Sequence, residues 1–451
     1  MAKNRSVFLC SQCGWESGKW LGRCPSCGEW NSFQEEIVNL QRPATTQAEW
    51  SEAQILSQVA ENHTVRLSTG IKELDRVLGG GMVPGSLVLL GGDPGVGKST
   101  LLLQVAAALS RQQHRVLYLS GEESPEQIKL RSLRLGLSGD NIYLLSQQNI
   151  DLLDRYVQEM DPELIIIDSI QTVYTAEVSS IPGSVAQLRE CTVRLMNLAK
   201  KSGRILFLLG HVTKDGMLAG PKMLEHLVDV VVYFEGERNY AFRLLRSAKN
   251  RYGSTDEIGL LEMSGIGLIE VQNPSELFLS GRDPTVFGSA IVAPFEGSRA
   301  LLIEIQSLVS GAGPAYGRRT ASGLEQSRLA LMIAVLEKNR GLSLGNRDIY
   351  LKVTGGLFLK DPAVDMGMAA AIVSSWQEQA LPLDMVMIGE LALSGELRAV
   401  PFMDQRLREA YRLGYRRAVI PQGSKRHDIE EDMEVLPIKN LNQFIDVILG
   451  G

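Results

Sequence analysis

Apolar residues along the chain fall into two kinds of run. Short unbroken runs at Leu87–Leu90, Val116–Leu119, Ile142–Leu145, Leu164–Ile167 and Ile205–Leu209 have the length and branched-aliphatic content of strands buried on both faces. Between them lie helix-length segments at 98–110, 124–135, 150–160 and 184–202. This alternation predicts an α/β fold with a mostly parallel sheet covered by helices on both sides. Val228–Phe234, Tyr240–Leu245 and Ile258–Val271 then predict β-hairpin strands that close the domain. Asn273-Pro274 is a plausible boundary. Beyond it, strands at Ala290–Phe295 and Ala300–Leu308 and near 348–353, 385–391 and 417–420 are expected. With helices at 322–339, 365–376, 402–414 and 440–449, they predict a second mixed α/β domain. Before the first sheet, residues 37–63 carry few large apolar side chains and read as a linker. The expected division is therefore 1–36, a linker at 37–63, 64–272 and 273–451.

Length agrees with this division, since 451 residues suit roughly three domains of about 150. Charge narrows the function. With 46 basic against 52 acidic residues the net charge is −6, which excludes a generally basic nucleic-acid coat but not a local basic surface. No apolar run approaches the roughly 20 residues that span a bilayer, and no apolar stretch follows the basic first residues as in a signal peptide. A soluble, cytoplasmic protein without a membrane partner is expected.

Cys10-x2-Cys13 and Cys24-x2-Cys27 form a paired knuckle. Each turn aims two thiolates at one point, and two turns complete a tetrahedral sulfur shell suited to Zn2+. Cytoplasmic redox conditions disfavour the disulfide alternative. The zinc so held is expected to be structural. Trp15, Trp20 and Trp30 surround the knuckles and are expected to form the small core of the module, with nucleic-acid stacking as the lesser alternative. Cys191, alone on a predicted helix, reads as a buried small hydrophobe.

Gly92-Asp93-Pro94-Gly95-Val96-Gly97-Lys98-Ser99, followed by Thr100, matches G-x-x-x-x-G-K-[ST] between a predicted strand and a predicted helix. Its glycines let backbone amides wrap the phosphates of ATP or ADP, and the helix N-terminus adds positive potential. Lys98 should reach the β- and γ-phosphates, and Ser99 should ligate Mg2+. Asp168 ends the apolar strand Leu164–Ile167 and suits the second contact to Mg2+, although a strand-end aspartate can equally cap a helix. Hydrolysis also needs a group that positions water. Glu122 is the first candidate and Glu123 the second, one of them being expected merely to open the next helix. His211, after the strand Ile205–Leu209, is placed to sense the γ-phosphate.

The glutamate after the second strand, the strand-end Asp168 and the polar end of the next strand resemble the RecA/DnaB-type ATPase core. Lys249-Asn-Arg251-Tyr252-Gly253 resembles the K-x-R finger strand of DnaB-type ring helicases, whose lysine and arginine reach the ATP of the neighbouring subunit. A solvated strand face is the plainer reading of the same charges. Knuckles, core and pentapeptide together resemble the bacterial RadA (Sms) DNA-repair family over essentially the whole chain. That family usually has Phe at the position of Tyr252. The resemblance implies a hexameric, DNA-stimulated ATPase that drives branch migration of recombination intermediates in partnership with RecA.

Residues 357–367 and 389–400 resemble the Lon protease domain. Lon-type proteolysis uses a serine nucleophile and a lysine base. The resemblance places Asp365 at the serine and Asp404 at the lysine, and a carboxylate can do the work of neither. A domain without peptidase activity is expected, supplying ring contacts and a DNA-facing surface. Basic residues crowd two stretches, Arg189, Arg194, Lys200, Lys201 and Arg204 in one and Arg398, Arg406, Arg408, Arg412, Arg416 and Arg417 in the other. Both read more simply as solvated helix faces than as DNA sites. The segments 172–187 and 212–222 are the better candidates, with Lys214 and Lys222 as phosphate contacts. The function expected is a ring ATPase acting on single-stranded or branched DNA. An ATP-dependent protease, a nucleotide-switched scaffold and a KaiC-like autokinase are the rivals.

Overall fold

The computed structural model describes residues 4–10, 15–25, 28–39, 55, 65–211, 221–236, 242–271, 273–279, 283, 285–311, 317–425 and 432–449. The chain divides into two compact units, Met1–Glu270 and Val271–Gly451.

The first unit begins with a small antiparallel sheet in the order β2-β1-β3, from β1 (Asn4–Cys10), β2 (Glu16–Ser17) and β3 (Phe33–Asn39). The main body follows with α1 (Lys72–Val77), β4 (Leu87–Gly92), α2 (Lys98–Arg111), β5 (Val116–Ser120) and α3 (Pro125–Arg134). Next come β6 (Ile142–Ser146), α4 (Leu153–Met160), β7 (Leu164–Asp168), α5 (Val185–Ser202) and β8 (Ile205–His211). The last strands are β9 (Val230–Glu235), β10 (Phe242–Asn250), β11 (Ile258–Ser264) and β12 (Gly267–Glu270).

The strands form one nine-stranded sheet in the order β12-β11-β10-β9-β4-β8-β7-β5-β6. From β9 through β6 all neighbours are parallel, whereas β10, β11 and β12 extend the sheet as an antiparallel meander. The reason is visible in the alternation along each strand. Val88, Leu90, Leu164, Ile166, Phe207 and Leu209 pack into one core with α1 and α2. Leu87, Leu89, Ile165, Ile167, Leu206 and Leu208 pack into the other with α5. A strand that buries both its odd and its even side chains has no polar face to show, so its sequence reads as a solid apolar run. Val7 of β1 also enters this second core, which ties the N-terminal sheet to the same unit.

The second unit contains α6 (Pro274–Leu279), β13 (Ser289–Val292), β14 (Phe295–Glu296), β15 (Arg299–Ala300), β16 (Ile303–Gly311), β17 (Arg319–Ser322), α7 (Gln326–Arg340) and β18 (Arg347–Val353). It continues through α8 (Asp365–Gln377), β19 (Met385–Met387), β20 (Glu390–Leu391), β21 (Leu397–Arg398), α9 (Met403–Arg412), β22 (Arg417–Pro421), β23 (Glu434–Ile438) and α10 (Leu441–Ile448). Seven strands make a mixed sheet, β17-β18-β16-β13-β19-β22-β23. α8 lies against its middle, buried from Asp365 to Ser375. A Cβ on Gly367 would meet Val292 Cγ1 at 2.0 Å, so glycine lets this helix seat directly on β13. Ser322, expected to open the helix 322–339, instead ends β17, and α7 begins only at Gln326.

Candidate functional site

Register builds the site. Gly92 pairs with His211, and Ser120 pairs with Asp168, so the C-terminal ends of β4, β8, β7 and β5 come level on one sheet edge. Ligands of open α/β sheets bind beyond this edge. The chain leaves β4 through the loop 93–97 and enters α2 at Lys98. Gly97 adopts φ +113°, a backbone conformation closed to most other residues, and a Cβ there would also strike Met263 Cε at 2.7 Å.

Lys98 is buried, and its Nζ donates to the Gly92 carbonyl at 2.7 Å and the Asp93 carbonyl at 3.0 Å. It also lies 3.1 Å from His211 Nδ1. Burial lowers the lysine pKa to about 8, against the opposing pull of Asp168, Asp93 and Glu122. Burial, and then the lysine charge, lower the His211 pKa in turn. A neutral imidazole accepting from Lys98 at Nδ1 carries its proton on Nε2, which lies 3.8 Å from Glu122 Oε1.

The two adjacent glutamates part company. Glu122 Oε1 accepts from Ser169 Oγ at 2.7 Å and faces His211. Glu123 turns away to an ion pair with Arg131 on α3. Neither opens that helix, because Ser124 is the N-cap, in a reciprocal capping box with Gln127, and Pro125 is the first helical residue. Asp168 is buried and accepts from the Tyr118 hydroxyl at 2.6 Å. Burial and the aspartate charge push the Tyr118 pKa well above its ordinary value, so the phenol stays a donor. Ser99 and Thr100 occupy the first turn of α2, half-buried beside the loop. Tyr118, Ser169 and Arg243, whose Nε donates to the Val96 carbonyl at 3.0 Å, were not singled out from the sequence. Tyr118 lies in a wholly apolar-looking strand, and Arg243 is far along the chain.

Lys249 and Arg251 lie at the other end of the sheet. Lys249 pairs with Val231, which pairs with Leu89, whereas the phosphate loop starts level with Phe234. The Lys249 Nζ donates to the Glu225 carbonyl at 2.7 Å. Arg251, 57% exposed, approaches buried Asp229 at 3.4 Å. Asp229 also accepts from Lys200 at 2.6 Å and from the Leu87 amide at 3.1 Å. The Tyr252 hydroxyl lies 3.2 Å from Lys200, a bond that a phenylalanine cannot make.

Cys10 and Cys24 are both buried and share one small cluster with Phe33. Their turns are alike: the Cys10 amide donates to Trp15 O at 2.9 Å, and the Cys24 amide to Glu29 O at 2.8 Å. The two described knuckle thiols therefore sit in matching turns of one core, which fits a shared metal. Cys13, Cys27 and Lys214 lie outside the described residues, as does the Lys222 side chain; the Lys222 backbone is in a 3-10 turn, Pro221–His226.

Three family models match the chain. They are a Rubredoxin metal binding domain over residues 8–35, an AAA domain over 56–217 and a Lon protease (S16) C-terminal proteolytic domain over 334–451. Relatives match end to end. The DNA repair protein RadA of Halalkalibacterium halodurans is 48% identical, with all of both chains covered. That of Bacillus subtilis is 46% identical and that of Streptococcus pyogenes serotype M1 is 47%, again over the whole of both chains. The chain belongs to the DNA repair protein RadA family.

Geometry revises one expectation and fills in others. The tryptophans of the metal module are not its core: Trp15, Trp20 and Trp30 are 38%, 51% and 66% exposed, while the cysteines, Phe33, Phe8 and Leu21 fill the interior. Three of the five basic residues named on and just beyond α5 pair with acids. Arg194 pairs with Asp151, Glu177 and Glu190, Lys200 with Asp229, and Arg204, just beyond the helix, with Asp161. In the second unit Arg406 is buried against Asp361, and Arg417 pairs with Asp384. Asp365 begins α8, held by Arg328 at 2.7 Å and by the Leu391 amide at 3.2 Å, and Asp404 lies in the first turn of α9. Among the described residues, no helix is long and apolar enough to cross a membrane.

Proposed function

We propose that the chain is a cytoplasmic, DNA-stimulated ATPase that works as a ring, with the helicase or translocase action that promotes branch migration beside RecA. The observation that carries this reading is the division of charges along β4, β9 and β10. Lys98, Glu122, Asp168 and His211 gather at one end of the sheet, while Lys249 and Arg251 sit at the other. At about 3.4 Å per residue, the three positions from Gly92, level with Phe234, to Leu89, level with Val231 and so with Lys249, put the lysine about 10 Å down the sheet from its own phosphate loop. A second subunit, in a hexameric ring by family resemblance, would bring such cations to the nucleotide from outside.

In this reading the amides of the loop 92–97 and the Lys98 ammonium hold the ATP phosphates, the ammonium exchanging carbonyl partners for phosphoryl oxygens. Ser99 and Asp168 would hold Mg2+, which when bound neutralises charge on the β- and γ-oxygens. Tyr118 fixes the Asp168 carboxylate. Glu122, oriented by Ser169, positions the attacking water, and Glu123 is the structural partner of Arg131. His211 reads the γ-phosphate through Lys98. Lys249 and Arg251 act in trans on charge developing at the transferred group. Cys10, Cys13, Cys24 and Cys27 would hold Zn2+, which when bound crosslinks the two knuckles. Lys214 and Lys222 contact DNA phosphates. The second unit is read as without peptidase activity, because Asp365 and Asp404 stand where the resemblance puts the serine nucleophile and the lysine base. The test is the ATPase rate with and without single-stranded or branched DNA, beside Lys98→Ala. Stimulation that is lost in the variant is expected, and no stimulation by any DNA would refute the proposal.

A further inference from the structure

The N-terminal module presents two aromatic rings to solvent at one point. Trp20 and Trp30 are 51% and 66% exposed, costly exposure for the largest apolar side chains unless something covers them. They converge across the hairpin. The position that a Gly22 Cβ would occupy lies 3.8 Å from Trp20 Cζ3 and 3.9 Å from Trp30 Cζ3. The two indole edges thus approach one point above Gly22.

The backbone under the rings is fixed. Asn31 donates to the Gly22 carbonyl at 2.8 Å, and Arg23 and Trp30 face each other in an antiparallel bridge. Arg23 stacks on Trp30, with Cζ 5.7 Å from the ring centroid, and its Nε donates to the Gly28 carbonyl at 2.9 Å. Arg23 and Lys19, the latter next to Trp20 in sequence, are both exposed; among the described side chains of the module the exposed acids are Glu29 and Glu35. Flat π-faces flanked by cations are what an unpaired nucleobase on a phosphodiester backbone requires.

We infer that Trp20, Trp30 and Arg23 form a stacking site for an unpaired base of single-stranded DNA, with Lys19 beside it for the phosphate. This rests on the reading that the chain engages DNA, and it gives the metal module a binding task of its own. A base lying against the indoles would make no sequence-specific hydrogen bonds, so binding would be sequence-tolerant. A purely anionic polymer would gain from the cations and not from the rings.

The test uses the full-length, zinc-loaded chain with two probes: oligo(dT), and an oligomer of the same length with abasic sugars throughout. Both Trp20 and Trp30 are exposed, so the double variant Trp20→Ala/Trp30→Ala should keep its fold, checked by zinc content. Oligo(dT) should quench part of the tryptophan emission of the parent, and that part should vanish in the double variant. Its affinity for oligo(dT) should fall about tenfold or more. Its affinity for the abasic oligomer should be unchanged, and Trp30→Phe should retain most of the oligo(dT) binding. Equal oligo(dT) affinity and equal quenching in parent and double variant would overturn the stacking site while leaving DNA binding intact. A parent chain that binds neither probe would overturn both this inference and the reading beneath it.

Discussion

Replacing Lys98 with arginine keeps a cation in the phosphate loop but removes its titration, which isolates one consequence of burial. Moving the lysine from its ordinary value of 10.5 to about 8 corresponds to about 3 kcal/mol of disfavoured charge. The sign is set by desolvation, which exceeds the help from Asp168, Asp93 and Glu122. Phosphates entering the loop reverse the balance, because they bring negative charge directly against a group whose hydrogen-bond partners are two carbonyls and His211. The lysine pKa must then rise, and nucleotide binding must take up a proton wherever the free lysine is partly neutral. With a free pKa of about 8, uptake should be about 0.5 proton per site at pH 8 and only about 0.1 at pH 7. Nucleotide affinity should weaken correspondingly as pH rises from 8 toward 10. Calorimetry at pH 8 in buffers of different ionisation enthalpy measures the uptake directly. Lys98→Arg should abolish it, and His211→Asn should leave most of it, because the His211 pKa is lowered from 6.5. Zero uptake in the parent, or the same uptake in Lys98→Arg, would refute the reasoning.

Three further outcomes are expected. Glu122→Gln should remove most turnover with nucleotide binding retained, whereas Glu123→Gln should leave turnover within a few-fold and lower the melting temperature by loosening Arg131 from the start of α3; steady-state ATPase and thermal melts separate the two. Arg251→Ala should cost about 10³-fold or more in turnover with ATP binding unchanged in the isolated subunit; loss of binding there would contradict a role in trans. Asp365→Ala should destabilise the second unit by about 1.5–3 kcal/mol in urea titrations, since it takes the carboxylate from half-buried Arg328, and Asp365→Ser should not create peptidase activity on casein.

The sheet was legible because its central strands bury both faces, which leaves an unmistakable solid run in the sequence. The phosphate loop was legible because backbone wrapping of a phosphate demands glycines at fixed places. The ranking of Glu122 before Glu123 had no partner behind it in the sequence, since adjacent residues differ only in direction, and Arg131, which takes Glu123, is eight positions away. Tyr118 and Arg243 serve the site through contacts 50 and 147 residues apart in sequence, which no local pattern announces. The tryptophans misled because large aromatics usually fill cores, yet this module is so thin that its own thiols and Phe33 occupy the interior. Basic residues on α5 read as a solvated face; the acids that pair with Arg194 and Lys200, Asp151, Glu177 and Asp229, were not legible because they lie on elements that only the fold brings near.

The central claim is that one subunit holds the nucleotide while another supplies Lys249 and Arg251. Mixing Lys98→Ala with Arg251→Ala chains and measuring ATP hydrolysis with single-stranded DNA tests it most directly. Each variant alone should be inactive, and the mixture should regain part of the parental rate, because an intact Lys98 site then meets an intact Arg251 from a neighbour. A mixture as inactive as its parts would contradict the account.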